Sequence, residues 1–369
     1  MTGSTIAYIG LGSNQGDRQQ YIDFALRAIS QTVGIRLLRS SRVIETEALS
    51  LRPQPKYLNA AAEVETTLPP VELLMRLQQI ESQLGRIRTE KWGSRTIDLD
   101  LLLYGDDIVI NQGELCVPHK QLHLRSFVLA GLCGLCPERL HPLLKISFSE
   151  LYKRLNGCNF AIDANRPQLI SVAGMIGVGK TTLVDGLAKN LSAEGIFEEY
   201  DKNPYLAQVY AGRKDLAFDS ELYFLSSGVR QLSREALLPG RVYLSDYIFD
   251  KVLMYARSWL ETTVLRKYET IYAEQKQNVA SPVLVIYIYD TVEHCLERIH
   301  RRNRRYEQGI EPGFLKQQQN WYNTLCDNWK ACPVIRISAA QCETDEQVRR
   351  LADEIRYYLP ETENVRCNY

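Results

Sequence analysis

Residues 174–181, Gly-Met-Ile-Gly-Val-Gly-Lys-Thr, match the pattern GxxxxGK[ST] in full, between an apolar run over 168–173 and a helix-patterned stretch over 181–191. Strand, glycine-rich loop and helix in that order build a phosphate cradle. The glycines let backbone N–H groups close on phosphate oxygens, and the helix start adds partial positive charge. Lys180 then reaches the β- and γ-phosphates, and the Thr181 hydroxyl ligates one Mg²⁺. A second apolar run, 283–289, precedes a helix pattern containing Val292, Cys295, Leu296 and Ile299, as a parallel strand and its crossover would. This half is expected to be an α/β P-loop domain with a parallel sheet.

The loop sits far from either end of a chain of 369 residues, which suits two domains of roughly 150 residues each. Periodic apolar character gives way around Asn156, Gly157, Asn159, Asp163, Asn165 and Pro167, so the expected division is 1–158, a linker over 159–167, and 168–369. In the first half a strand over 5–11 runs into Gly10, Gly12, Ser13, Asn14 and Gly16. A helix with Ile22, Ala25, Leu26 and Ile29 at helical spacing follows. Pro70 opens another helix, with Leu73, Leu74, Leu77 and Ile80 on one face, and 95–103 has strand character. Strands and helices mix without strict alternation, which points to an α+β sandwich.

Lys plus Arg and Asp plus Glu each number 44, so no global positive field holds a polyanion, and nucleic acid is not an expected partner. No apolar stretch approaches the roughly 18 residues of a membrane span, and residues 1–9 lack the pattern of a secretory signal. Nine cysteines, an odd number, suit reduced thiols, and the CxxC pair Cys133 and Cys136 has no second pair or histidines to make a metal site. The expected location is the cytoplasm, with no membrane partner.

On the strand over 96–101 a period of two puts Asp98 and Asp100 on one face. Facing carboxylates repel unless cations lie between them, and paired Mg²⁺ ions are a usual solution in phosphoryl chemistry. Arg86, Arg88 and Arg95 flank the acids and Trp92 offers a flat surface, which makes a cation-rich triphosphate site without a glycine cradle.

The segment Gly85-Arg86-Ile87-Arg88, then Trp92-Gly93-Ser94-Arg95-Thr96-Ile97-Asp98-Leu99-Asp100, resembles the hydroxymethyldihydropterin pyrophosphokinases of folate synthesis. Three further motifs agree with that family: Tyr8 to Asn14 with Gly16 and Asp17, Tyr57 to Ala60, and Val117-Pro118-His119 with Arg125 to Leu129. The resemblance implies a ferredoxin-like αβα sandwich that transfers pyrophosphate from ATP to the 6-hydroxymethyl group of a reduced pterin, leaving AMP. It places two Mg²⁺ ions on Asp98 and Asp100, and transition-state stabilisation on Arg86, Arg95 and Arg125. His119 would hold a phosphate oxygen, with Gln78, Glu81, Arg88 and Trp92 on the ATP side. The pterin would be held by Asn59, sandwiched by Tyr57 and Phe127, and read at its edge by backbone groups from Thr46 to Leu49. Ser94 and Lys120 stand where that family usually has proline.

The second half resembles the deoxynucleoside kinases over roughly 169–359, which implies phosphorylation of a (deoxy)nucleoside 5′-hydroxyl by ATP. ATP contacts fall on Gly174, Gly177, Gly179, Lys180, Thr181 and Thr182. Glu199, rather than Glu198, is expected as general base, although a short insertion would exchange them. The run Arg298, Arg301, Arg302, Arg304, Arg305, Tyr306, Glu307 resembles that family's arginine-rich lid, with Arg301, Arg302, Arg304 and Arg305 facing ATP and Glu307 the nucleoside. Asp246 would serve the metal and the nucleoside. Two departures touch the nucleoside pocket. Glu221 and Gly228 stand where Gln and Arg are common, and Tyr247 replaces the arginine after the motif's acid, with Arg230 or Arg234 as substitutes from a neighbouring turn. The reading is thus a bifunctional Mg·ATP enzyme, with a homodimer through the second half implied by the resemblance. The alternative is that this half is a nucleotide-binding regulatory or dimerisation module.

Overall fold

The computed structural model describes residues 3–49, 53–86, 93–113 and 115–360. They form two compact units, one running to Ala161 and the other starting at Ile162. Among the described residues no helix is long and apolar enough to cross a membrane.

The first unit runs β1 (Thr5–Ser13), α1 (Arg18–Gln31), β2 (Ile35–Ser40), β3 (Ile44–Thr46), β4 (Tyr57–Thr66), α2 (Pro70–Gln83), β5 (Asp98–Tyr104), β6 (Ile110–Gln112), β7 (Leu115–Val117), α3 (Ser126–Leu135) and α4 (Phe148–Arg154). Its main sheet is antiparallel in the order β2-β4-β1-β5, with β3 paired to β4 and a separate β6-β7 ribbon. Asp17 caps α1 by accepting the Gln20 N–H at 3.0 Å, and Pro70 stands in the first turn of α2, where its missing N–H costs nothing. Strand alternation on β4 then decides the layers. Ala60, Ala62 and Val64 share a core with Ile22, Ile29, Leu73 and Leu77 of α1 and α2. Ala61 turns the other way, against α3, where a Cβ on Gly131 would lie only 2.8 Å from the Ala61 Cβ. Helices therefore cover both faces of an antiparallel sheet.

The same alternation on β5 sends Leu99 and Leu101 into the α1/α2 core and turns Asp98 and Asp100 to the opposite face, across from Gly12 and Gly10 of β1. The strand expected from residue 95 begins at Asp98. Upstream of it, Asn14 rather than a strand partner takes the backbone: the Arg95 N–H donates to Asn14 Oδ1 at 2.7 Å, and the Asn14 N–H to the Arg95 carbonyl at 3.1 Å.

The second unit runs β8 (Gln168–Ala173), α5 (Lys180–Leu191), β9 (Glu194–Ile196), α6 (Leu206–Tyr210), α7 (Ala217–Leu232), β10 (Val242–Ser245), α8 (Lys251–Trp259), α9 (Thr262–Lys276), β11 (Leu284–Tyr289), α10 (Val292–Arg302), α11 (Pro312–Asp327), β12 (Val334–Ser338) and α12 (Asp345–Ile355). The sheet is wholly parallel in the order β12-β11-β8-β10-β9. β8 is buried along its whole length, as a central strand covered on both faces must be. From β8 the chain builds β9 and β10 on one side and then β11 and β12 on the other. The crevice outside the carboxyl end of β8 is where such sheets bind ligands, and the glycine-rich loop occupies it.

Candidate active sites

In the first unit the Asp98 and Asp100 face looks into a cleft of about 260 Å³, whose walls include Thr46, Leu49, Tyr57, Asn59, Arg95, His119, Arg125 and Phe127. Three arginines converge on the acids. Arg86 Nη1 lies 2.5 Å from Asp98 Oδ1, Arg95 pairs with Asp98 Oδ2, and Arg125 stands 3.9 Å from Asp100. Even so, burial and the Asp100 charge push the Asp98 carboxyl above its ordinary range. Burial and the Arg125 charge hold His119 down at about 4, which keeps its imidazole neutral at pH 7. The Gln121 N–H points at His119 Nδ1 from 3.4 Å, which leaves Nε2 as the protonated nitrogen. Asn59 Nδ2 donates to Thr46 Oγ1 at 2.8 Å, across the paired strands β3 and β4.

The ATP-side expectations need correction. Glu81 turns inward: it is 3% exposed, accepts the Leu99 N–H at 2.7 Å, and pairs with Arg86. It thus braces β5 and Arg86 from behind the cleft. Gln78, on the same helix, is not among the cleft residues, and Arg86 reaches the site only through Asp98. Arg88 and Trp92 lie outside the described residues. Asn14, part of the opening motif but without a role legible in it, and Gln54, which no motif marks, also belong to the site. Asn14 is 1% exposed, holds Arg95 in place, and donates through Nδ2 to Gln54 Oε1 at 3.2 Å.

In the second unit the loop leads into a narrower cavity of about 100 Å³ that brings together Gly177, Lys180, Thr181, Glu221, Asp246, Arg302, Arg304 and Glu307. Lys180 Nζ donates to the Gly174 and Met175 carbonyls at 2.9 and 3.0 Å. Burial, helped by the Lys251 and Arg302 charges, lowers the ammonium to about 8. The Thr181 hydroxyl donates to Asp246 Oδ2 at 2.7 Å. At the other end Glu307 is held by Arg302 at 2.5 Å and Arg304 at 3.4 Å, and Arg304 stacks 3.8 Å from the Tyr200 ring centre. Tyr210, Phe224, Tyr255, Trp259 and Tyr306 make much of the wall flat and aromatic. Glu221 is 3% exposed with no partner on Oε2, and burial raises its carboxyl to about 8.

Here too the structure redistributes roles. Glu198 lines the cavity, whereas Glu199 bonds Lys202 and Ser227 at 2.8 and 2.7 Å, pairs with Arg230, and is not a cavity residue. The reason lies in the backbone. β9 ends at Ile196, and the Glu198 N–H donates to Asp246 Oδ1 at 2.9 Å, which fixes Glu198 beside Asp246. Arg301 and Arg305 are exposed and, like Thr182, do not line the cavity; Gly174 and Gly179 shape the loop without forming its wall. Lys251, unforeseen in the sequence, does line it.

Family models match both units: one described as 7,8-dihydro-6-hydroxymethylpterin-pyrophosphokinase over residues 8–137, the other as deoxynucleoside kinase over residues 170–359. The 2-amino-4-hydroxy-6-hydroxymethyldihydropteridine pyrophosphokinase of Haemophilus influenzae is 41% identical over 148 residues, 40% of this chain and 91% of that protein. Its Bacillus subtilis counterpart is 42% identical over 135 residues, 37% of this chain and 80% of that protein. Among solved structures, deoxyadenosine kinase from M. mycoides with bound dATP is 22% identical, with a TM-score of 0.45 over 51% of this chain and 99% of that one. The chain therefore belongs to the hydroxymethyldihydropterin pyrophosphokinase family in its first half and to the deoxynucleoside kinase family in its second.

Proposed function

We propose that this chain is a bifunctional ATP-dependent transferase, with a pterin pyrophosphokinase in residues 1–158 and a nucleoside kinase in residues 168–369. What most supports the first activity is the same-face pair Asp98 and Asp100 with Arg86, Arg95 and Arg125 converging on it, above a cleft edged by Tyr57, Asn59 and Phe127. The pterin hydroxymethyl oxygen bonds to the β-phosphorus of ATP, the bond to the α-phosphate breaks, AMP leaves, and one proton is released. Arg95 and Arg125 hold the charge that builds on the transferred group. His119 offers a neutral Nε2–H to a phosphate oxygen, and Tyr57 and Phe127 flank the flat ring.

Mg²⁺ fits both sites by donor chemistry. Asp98 and Asp100 would hold two ions in the first unit, and Thr181 with Asp246 one in the second. Among the described residues no cluster of three or more His, Cys, Asp or Glu could hold a metal by itself. That suits an oxygen-seeking cation that keeps waters and phosphate ligands and arrives with the nucleotide. When bound, it supplies charge neutralisation on the phosphates.

For the second activity, Lys180 gives up its two loop carbonyls for phosphate oxygens, and Glu198 takes the proton of the acceptor 5′-hydroxyl. The products separate the two reactions: AMP from the pterin reaction, ADP from the nucleoside reaction. Incubating the full chain with Mg·ATP and reduced hydroxymethylpterin, and separately with each deoxynucleoside, tests both. No AMP with the pterin overturns the first assignment; no ADP with any nucleoside overturns the second and leaves a nucleotide-binding module.

A further inference from the structure

Lys251 is the first residue of α8, yet its side chain is folded into the kinase-like cavity and the residue is 6% exposed. Two physical rules disfavour a cation there. A helix start carries partial positive charge, and a buried ammonium loses its hydration. Both costs are met at one spot. The Lys251 Nζ pairs with the Glu198 carboxylate through Oε1, and three rings, those of Tyr247, Tyr255 and Phe224, face it at 5.4, 5.7 and 5.8 Å. A residue held against local preference by this many partners marks a functional position.

The sequence left a gap here, because Tyr247 stands where an arginine would follow Asp246. Arg230, offered as a substitute, is 64% exposed and pairs with Glu199 instead. We propose that Lys251 is the positioning residue that aims Glu198 at the acceptor hydroxyl, and that it supplies the cation missing beside Asp246. The proposal rests on the nucleoside kinase reading above. Glu198 is gripped at two points. Its N–H is tied to Asp246 Oδ1, and its Oε1 is drawn to Lys251, so Oε2 is the oxygen presented to the substrate. As the 5′-oxygen bonds to the γ-phosphorus, Oε2 accepts the hydroxyl proton. The bond from that phosphorus to the β,γ-bridging oxygen breaks, and ADP leaves with its electron pair. Lys251 touches none of the reacting atoms; it fixes the carboxylate that does.

The test is a double-mutant cycle on the full chain, following ADP with the deoxynucleoside that wild type accepts, with Lys251→Met, Lys251→Arg, Glu198→Gln and Lys251→Met/Glu198→Gln. Lys251→Met keeps the bulk of the stem inside the aromatic wall, and a Mg·ADP thermal shift verifies that the loop still forms. Lys251→Met is expected to lower kcat by roughly 100-fold, within the range of lost base catalysis, while KM for ATP holds. Lys251→Arg should recover part of the loss, and the double variant should be no slower than Glu198→Gln, since the two residues act as one unit. A folded Lys251→Met with wild-type kcat, or additive losses in the double variant, overturns the role. Absence of ADP from wild type overturns the kinase reading itself, and this role falls with it.

Discussion

Glu198 and Glu199 are neighbours in the chain but take different cations: Glu198 pairs with buried Lys251 inside the cavity, and Glu199 with exposed Arg230 outside it. The separation matters because the sequence pattern favours Glu199 for the proton, whereas the fold turns Glu198 into the cavity. Glu199 is further committed by Lys202 and Ser227, whose hydrogen bonds hold its carboxyl below the usual range and make it a poor proton acceptor.

Glu198→Gln is therefore expected to cut ADP formation by roughly 100- to 10,000-fold, the span typical of a lost general base. Glu199→Gln should leave it close to wild type. Steady-state rates of the two variants decide the matter, and the reverse ranking would return the base to Glu199.

The two units should fail independently. Asp98→Asn with Asp100→Asn removes the paired acids while keeping their shape, and AMP formation should fall by roughly 100-fold or more with ADP formation intact. Lys180→Ala should do the opposite. Measuring AMP and ADP on the same preparations checks this, and parallel loss of both products would argue against separate sites.

Glu221 predicts a stability effect with a definite sign. Its folded carboxyl titrates near 8 against an ordinary 4.5, so between those values the unfolded chain loses a proton that the folded chain keeps. Stability then falls as pH rises through that window. Glu221→Gln cannot ionise, so its melting temperature relative to wild type should rise from pH 5 to pH 8. Calorimetry on both proteins at several pH values reads the difference directly, and a constant offset would place the ionised carboxylate in the folded state.

His119 works in the other direction. Its imidazole is held near 4 against an ordinary 6.5, so the folded protein stays neutral there while the unfolded chain gains a proton as pH falls below 6.5. Native stability contributed by this group is present above 6.5 and lost towards 4. AMP formation should accordingly show no inflection from His119 between pH 8 and 6, and His119→Gln should run parallel to wild type over that range. A wild-type inflection near 6.5 that is missing from His119→Gln would show the imidazole charging in the working enzyme.

The features legible in the sequence are those that a short stretch of backbone determines by itself. Lys180 and Thr181 follow from a loop whose spacing is its geometry, and Asp98 and Asp100 share a face because a strand alternates. What escaped depends on partners distant in the chain. Glu81 has a plausible ATP-side position on α2, but the Leu99 N–H of β5 claims its carboxylate, and Arg86 goes with it. Glu198 outranks Glu199 only because Asp246, at the end of β10, accepts its N–H. Lys251 could have been suspected from one signal, a cation at a helix start beside an aspartate motif that lacks its arginine.

The glycine-rich loop and α10 meet backbone to backbone. Gly177 has φ +81°, and a Cβ there would stand 2.5 Å from the Cys295 carbonyl of α10, so the two backbones abut with no side chain between them. α10 cannot tilt inward without driving its own main chain into the cradle. Just past the helix, Asn303 at φ 54° turns the chain out of its helical path. Whatever settles in the cradle therefore meets a loop backed directly by main chain at Gly177, with no compressible side chain between the two.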